Sequence, residues 1–137
     1  MASDHGGAFE LVERGSDLAI RVRGPDPPAC LAAAVEGLAA SLAEVGPGVG
    51  RRRVPLRVDG DRPVDLLVSL VEEVIGLLDA EGSLAVGLAA EPDDRGLRGE
   101  LVLVDLDDVV VHGVPPKAAT WHDARLDPVG GRWEGSV

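Results

Sequence analysis

Between Asp61 and Gly82 the sequence lays down one apolar stripe that constrains the fold more than any other segment. Leu67, Leu70, Val71, Val74 and Leu78 recur at helical spacing, while Glu72 and Glu73 fall on the opposite side. Asp61 reads as the N-cap, and Pro63 suits a first turn, where a missing N–H costs nothing. Gly82 supplies the C-terminal stop. Gly76 lies inside the helix, at a cost of roughly 1 kcal/mol relative to Ala, which points to close packing there.

The rest of the chain arranges itself around that helix. Residues 1–7 are polar and Gly-rich and read as a flexible N-terminal tail, leaving 8–137 as a single domain. Phe9 to Glu13 reads as a short strand. Leu18, Ile20 and Val22 then alternate with Ala19, Arg21 and Arg23, and Arg14-Gly15-Ser16-Asp17 forms the tight link between the two runs. Gly24-Pro25-Asp26-Pro27-Pro28 ends the second strand and opens a helix carrying Leu31, Val35, Leu38 and Leu42 on one face, with Gly46-Pro47-Gly48 as its stop. Val54, Leu56 and Val58 alternate again, and Pro55, which cannot donate to a ladder, places that strand at an edge. After Gly82 the chain is strand-like: Leu84–Leu88, a turn at Pro92–Gly96, Leu97–Leu103, then Lys117–Leu126 and Trp133–Val137 joined through Asp127–Gly131. This order predicts an α+β fold, with two helices packed on a mainly antiparallel or mixed β-sheet.

Composition removes several function classes. Hydrophobic residues make up 45% of the 137 and aromatics only 2%, so the core is aliphatic. The net charge of −11 sets the molecule against a phosphate backbone, so strong unaided binding of nucleic acid is not expected. Cys30 is the sole cysteine, which excludes an internal disulfide and a Cys-based zinc cluster and fits a reducing cytoplasm. The first ten residues lack the basic start and apolar run of a secretory signal. No run reaches the roughly 18 apolar residues of a membrane span, so no membrane partner is expected. A nucleophile with its base, a phosphate-cradling glycine loop and zinc spacing are all missing from the sequence, and a non-enzymatic role follows.

Four blocks, taken together, resemble the archease family. They are Asp17-Leu18-Ala19-Ile20-Arg21-Val22-Arg23-Gly24, Asp65-Leu66-Leu67 running on to Leu78-Asp79-Ala80-Glu81-Gly82, Lys117-Ala118-Ala119-Thr120-Trp121-His122, and Gly131-Arg132-Trp133. They stand in family order across residues 8–137. The resemblance implies an accessory protein that activates an RtcB-type RNA (tRNA-splicing) ligase by promoting its guanylylation and turnover. It also implies a divalent metal, calcium or magnesium, held by Asp17 and a second Asp near the C-terminus. The chain departs from the family pattern at two places. Arg14 stands where the family's turn has His, and no second Asp follows Trp133 within the 137 residues. A hard dication prefers several oxygen ligands, so a divergent or C-terminally shortened member is expected. The alternative is a chaperone-like interaction module that kept the fold and lost the metal.

Each candidate also has a plainer explanation. Asp17 is the metal candidate, although Asp is common in tight turns for local reasons. Arg14 could set a fixed charge beside Asp17 or be an ordinary surface Arg. Lys117 is the only lysine. By strand alternation Thr120 shares a face with His122 and opposes Lys117, and these three form the candidate partner surface with Arg14. Asp93-Asp94 and Asp105, Asp107 and Asp108 lack the loop of an EF-hand and read as solvated turn charges. Glu72, Glu73, Asp79 and Glu81 form either a solvated helix face or an acidic docking edge. Arg51-Arg52-Arg53 reads as charged protection of a strand edge.

Overall fold

The computed structural model describes residues 5–14, 17–112 and 124–137, without the side chains of residues 14, 17 and 18. Lys117, Thr120 and His122 lie outside the described residues. The elements are β1 (Ala8–Arg14), β2 (Asp17–Gly24), α1 (Pro27–Leu42), β3 (Ala43–Glu44), β4 (Arg52–Asp59), α2 (Pro63–Glu81), β5 (Ser83–Asp93), β6 (Gly96–Asp105), β7 (Val110–Val111), β8 (Arg125–Val129) and β9 (Arg132–Ser136), with a short 3₁₀ turn at Leu106–Asp108. The fold is α+β, and every strand pairing among the described residues is antiparallel.

The strands divide between two principal sheets rather than forming one. Four strands run in the order β1-β2-β9-β8, three in the order β4-β6-β5, and β3 pairs with β7 in a two-residue ribbon. Helix α1 packs against β1 and β2 of the first sheet and β5 of the second, with α2 beside it. This position explains its composition. A one-sided stripe was expected, yet Ala29 to Val35 are all buried, and Ala32, Ala33 and Ala34 let apolar layers close in from several sides. Gly37 carries that closeness furthest: a Cβ there would meet Ile20 Cγ2 at 2.8 Å and the Phe9 ring at 3.1 Å. The expected stop at Gly46 comes late, because the helix already ends at Leu42 and the chain continues extended into β3.

Helix α2 covers the second sheet with the expected stripe, burying Leu67, Leu70, Val71, Val74 and Leu78, and also touches β8. Glu72 and Glu73 face outward. Gly82 caps the helix in the left-handed region, at φ 64°, with its N–H on the Leu77 and Leu78 carbonyls. Two details differ from expectation. The N-cap is Arg62 rather than Asp61, since Pro63 opens the helix directly and no side chain caps it. Gly76 packs against nothing, for a Cβ added there would find no atom within 4 Å. Pro55 does lie on an edge strand, β4.

Candidate functional site

The topology sorts the molecule into two ends. Strand β2 begins at Asp17 and finishes at Gly24, seven residue steps or about 23 Å away. Helix α1 then runs back alongside it, so the α1 C-terminus returns towards the β2 start. Leu42 accepts a hydrogen bond from the His112 N–H at 2.8 Å, and β7 pairs with β3 beside it. The β9 end reaches the same region: Ile20 and Val137 exchange backbone hydrogen bonds of 2.9 and 3.1 Å, three residues along β2 from Asp17. Arg125 opens β8 opposite Ser136, which in turn faces Arg21. His112 and Ala124, the described residues flanking 113–123, therefore both belong to the Asp17 end.

At the tip, backbone register pairs Arg14 directly with Asp17. Among the described residues no three His, Cys, Asp or Glu side chains stand close enough to hold an ion together. The described ligand set does not by itself make a dication site.

The opposite end holds a feature that the sequence did not single out. An open groove of about 1040 Å³ is walled by both helix N-termini and the β5–β6 turn, with Asp26, Asp59, Asp61, Asp65, Asp93 and Asp94 on its lining. Most of these carboxylates have structural duties. Asp26 caps α1 by accepting from Ala29 N at 2.9 Å. Arg57 donates to Asp93 at 2.5 and 3.2 Å and reaches Asp59 at 3.0 Å. Asp93 also accepts from the backbone N–H groups of Arg95 and Gly96 at 2.9 and 3.0 Å. These bonds, with the Arg57 guanidinium foremost, hold its carboxyl down at about 2. Arg62 pairs with Asp65 at 3.0 Å and keeps that carboxyl low as well. The Asp-Asp-Arg-Gly turn was therefore legible as a turn, but Asp93 pins the hairpin to β4 through Arg57 rather than merely facing water.

Other candidates resolve into structure too. Arg52 donates to Ser83 Oγ at 2.6 Å and Asp105 Oδ1 at 3.0 Å, tying β4 to the β5–β6 pair. Gly7 N–H donates to His5 Nδ1 at 2.9 Å, and His5 Nε2 lies 2.7 Å from Glu36 Oε2, so residues 5–7 lie along α1.

Comparison with known proteins agrees with this architecture. Residues 9–137 match the archease protein family. The chain belongs to the archease family. The curated relatives include the "Probable protein archease" of Mycobacterium tuberculosis, 30% identical over 126 residues, covering 92% of this chain and 70% of the relative. Among solved structures, protein 1598 of Methanobacterium thermoautotrophicum aligns with a TM-score of 0.71 at 17% identity, over 95% of this chain and 96% of that one. An archease from Thermotoga maritima, described as a possible chaperone, aligns with a TM-score of 0.63 at 15% identity, over 93% and 92% of the two chains. At those identities the solved structures establish the fold. The archease assignment itself rests on the family match and the mycobacterial relatives.

Proposed function

We propose that this archease is a non-enzymatic accessory protein that activates an RtcB-type RNA ligase, promoting its guanylylation and turnover, and that it docks through the end bearing Asp17. One observation carries the choice of end. The start of β2, the end of β9, the α1 C-terminus and both described flanks of residues 113–123 converge there, whereas the Gly131-Arg132-Trp133 block lies by Gly24 at the other end. Arg14 and Asp17 stand side by side on it. At the opposite end, most carboxylates of the acidic groove serve in caps and ion pairs.

The reading assigns Asp17 the part of a carboxylate offered to the partner, with Arg14 fixing its ionised state. Lys117, Thr120 and His122 would complete the surface. A bound calcium or magnesium would add Lewis acidity at Asp17, with its remaining ligands coming from outside the described residues. The molecule is a soluble cytoplasmic protein in this reading, and none of the helices described is long and apolar enough to cross a membrane.

The test is ligase guanylylation and multiple-turnover RNA joining with and without this protein. Stimulation is expected, with a loss of about tenfold or more in Asp17→Ala and little change in Asp61→Ala at the groove end. Absence of stimulation by the wild-type protein with a cognate ligase would overturn the reading and leave the chaperone-like module in its place.

A further inference from the structure

The four-stranded sheet has one face turned into the core by Ile20, Val22 and Leu126, all buried. Its opposite face carries Arg21, Arg23, Arg125 and Asp127, all exposed. The register sets Arg21 opposite Ser136, and Ser136 opposite Arg125. A row across β2, β9 and β8 on the open face is therefore Arg-Ser-Arg.

Backbone bonding fixes how close the three stand. Ile20 and Val137 exchange both of their hydrogen bonds, so the next pair, Arg21 and Ser136, is a non-hydrogen-bonded one, the kind whose side chains lie nearest. Ser136 turns its own N–H and C=O towards β8, where Arg125 faces it. The two arginine Cα atoms are thus about 10 Å apart, with the serine between them. Ser136 is only 9% exposed, yet among the described residues no hydrogen bond reaches its hydroxyl, and its Oγ is not sealed from the surface. Arg125 has no ion pair among the described residues. Arg21 has a loose, solvated one, with Glu10 Oε1 at 3.9 Å.

We propose that this row binds a phosphate monoester, with the guanidinium groups of Arg21 and Arg125 closing on it from two sides and the Ser136 hydroxyl donating between them. A guanidinium fork matches a pair of phosphate oxygens, and two fixed positive charges balance the monoester's charge of about −1.5 to −2. A carboxylate, with two oxygens and one charge, is satisfied by a single arginine and leaves the other two donors idle. The rest of the face limits the site to one such group. Glu10 stands at the β1 end of the row, and the next row, Arg23 with Glu134 and Asp127, is net negative. A nucleic-acid strand laid across the sheet would meet those carboxylates, whereas a single terminal phosphate would not. The site stands independently of the ligase reading.

The test is an NMR titration of the full chain with orthophosphate, a nucleoside 5′-monophosphate and the parent nucleoside. It is run at about pH 7.5, where a monoester is mostly dianionic, with ionic strength held constant by sodium chloride. Amide and arginine Nε–H signals locate binding in the wild-type protein directly. Saturable shifts centred on Arg21, Ser136 and Arg125 are expected with both phosphates, at a Kd of about 1 mM or below, and none with the nucleoside. Tighter binding of the nucleoside monophosphate assigns the site to nucleotides, and equal binding assigns it to the phosphate alone. Arg21→Gln and Arg125→Gln, both at exposed positions, should each weaken binding about tenfold, and Ser136→Ala about threefold. Arg95→Gln, at the other end of the molecule, should leave it unchanged. Shifts that fail to saturate, that reach Arg95 equally, or that survive both arginine substitutions would overturn the proposal. So would a glutamate-rich peptide that binds the row more tightly than either phosphate, which would give the face to an acidic protein.

Discussion

Cys30 has no exposed surface, and its Sγ lies 3.6 Å from the Trp133 carbonyl oxygen. Burial, with Asp26 adding to it, pushes the thiol up to about 11. The thiol should therefore react with a disulfide reagent at pH 8 about a thousandfold or more slowly than in the unfolded chain. The folded pKa lies above the ordinary value of 9.0, so the folded state holds a proton that the unfolded state gives up. Stability then falls as pH rises from about 9 towards 11, and Cys30→Ala should flatten that limb of a denaturation-midpoint profile. The two helical glycines make an opposed pair. Gly76→Ala meets open space and should stabilise by about 1 kcal/mol. Gly37→Ala pushes a methyl into Ile20 and Phe9 and should cost about 1–3 kcal/mol, with urea unfolding reporting both.

Single junctions hold the elements in place. Asp26→Ala removes the only side-chain cap on α1 and should cost about 1 kcal/mol in urea unfolding. The β5–β6 turn depends on Asp93, whose folded pKa of about 2 lies below the usual 3.8. Its contribution is complete above about pH 4 and is lost as pH falls towards 2, so Asp93→Asn should remove part of the acid limb of the stability profile. The elements were readily legible in the sequence, for physical reasons. The period-2 runs holding Ile20 and Val22 and Val54–Val58 and the stripe at Leu67–Leu78 each have one buried face, and Pro63 and Gly82 mark ends that only a few residues can make. What escaped was anything set by long-range partners. The division into two sheets depends on β9 entering beside β2, and the burial of α1 on several sides depends on both sheets being present. Gly76 had looked like the packing glycine because propensity can be judged locally, whereas the closeness at Gly37 comes from Phe9 and Ile20. At the candidate site, Arg14 and Asp17 were legible as neighbours across a tight turn. The groove was not, since its carboxylates come from three separate stretches of chain.

At the level of the whole molecule, archease membership joins a strongly acidic surface to a fold with distinct ends. A dication at Asp17 would bind only the folded state, so saturation at about 100 times Kd should add about 2.7 kcal/mol. Thermal unfolding with calcium, magnesium and manganese, repeated on Asp17→Ala, checks this: a shift abolished by the substitution is the expected outcome if the family's ion is held there. The place of β9 has a different consequence, one for the order in which the molecule is made. Arg21 finds its partner Ser136 more than a hundred residues later in the chain. On a ribosome adding roughly 5–20 residues each second, the β1–β2 hairpin therefore waits for several seconds with one flank of its ladder open. The four-stranded sheet closes only when nearly all of this sequence has emerged. Closure of that sheet is thus tied to the emergence of β9, and pairings so distant in sequence place refolding of the free chain among the slower small domains.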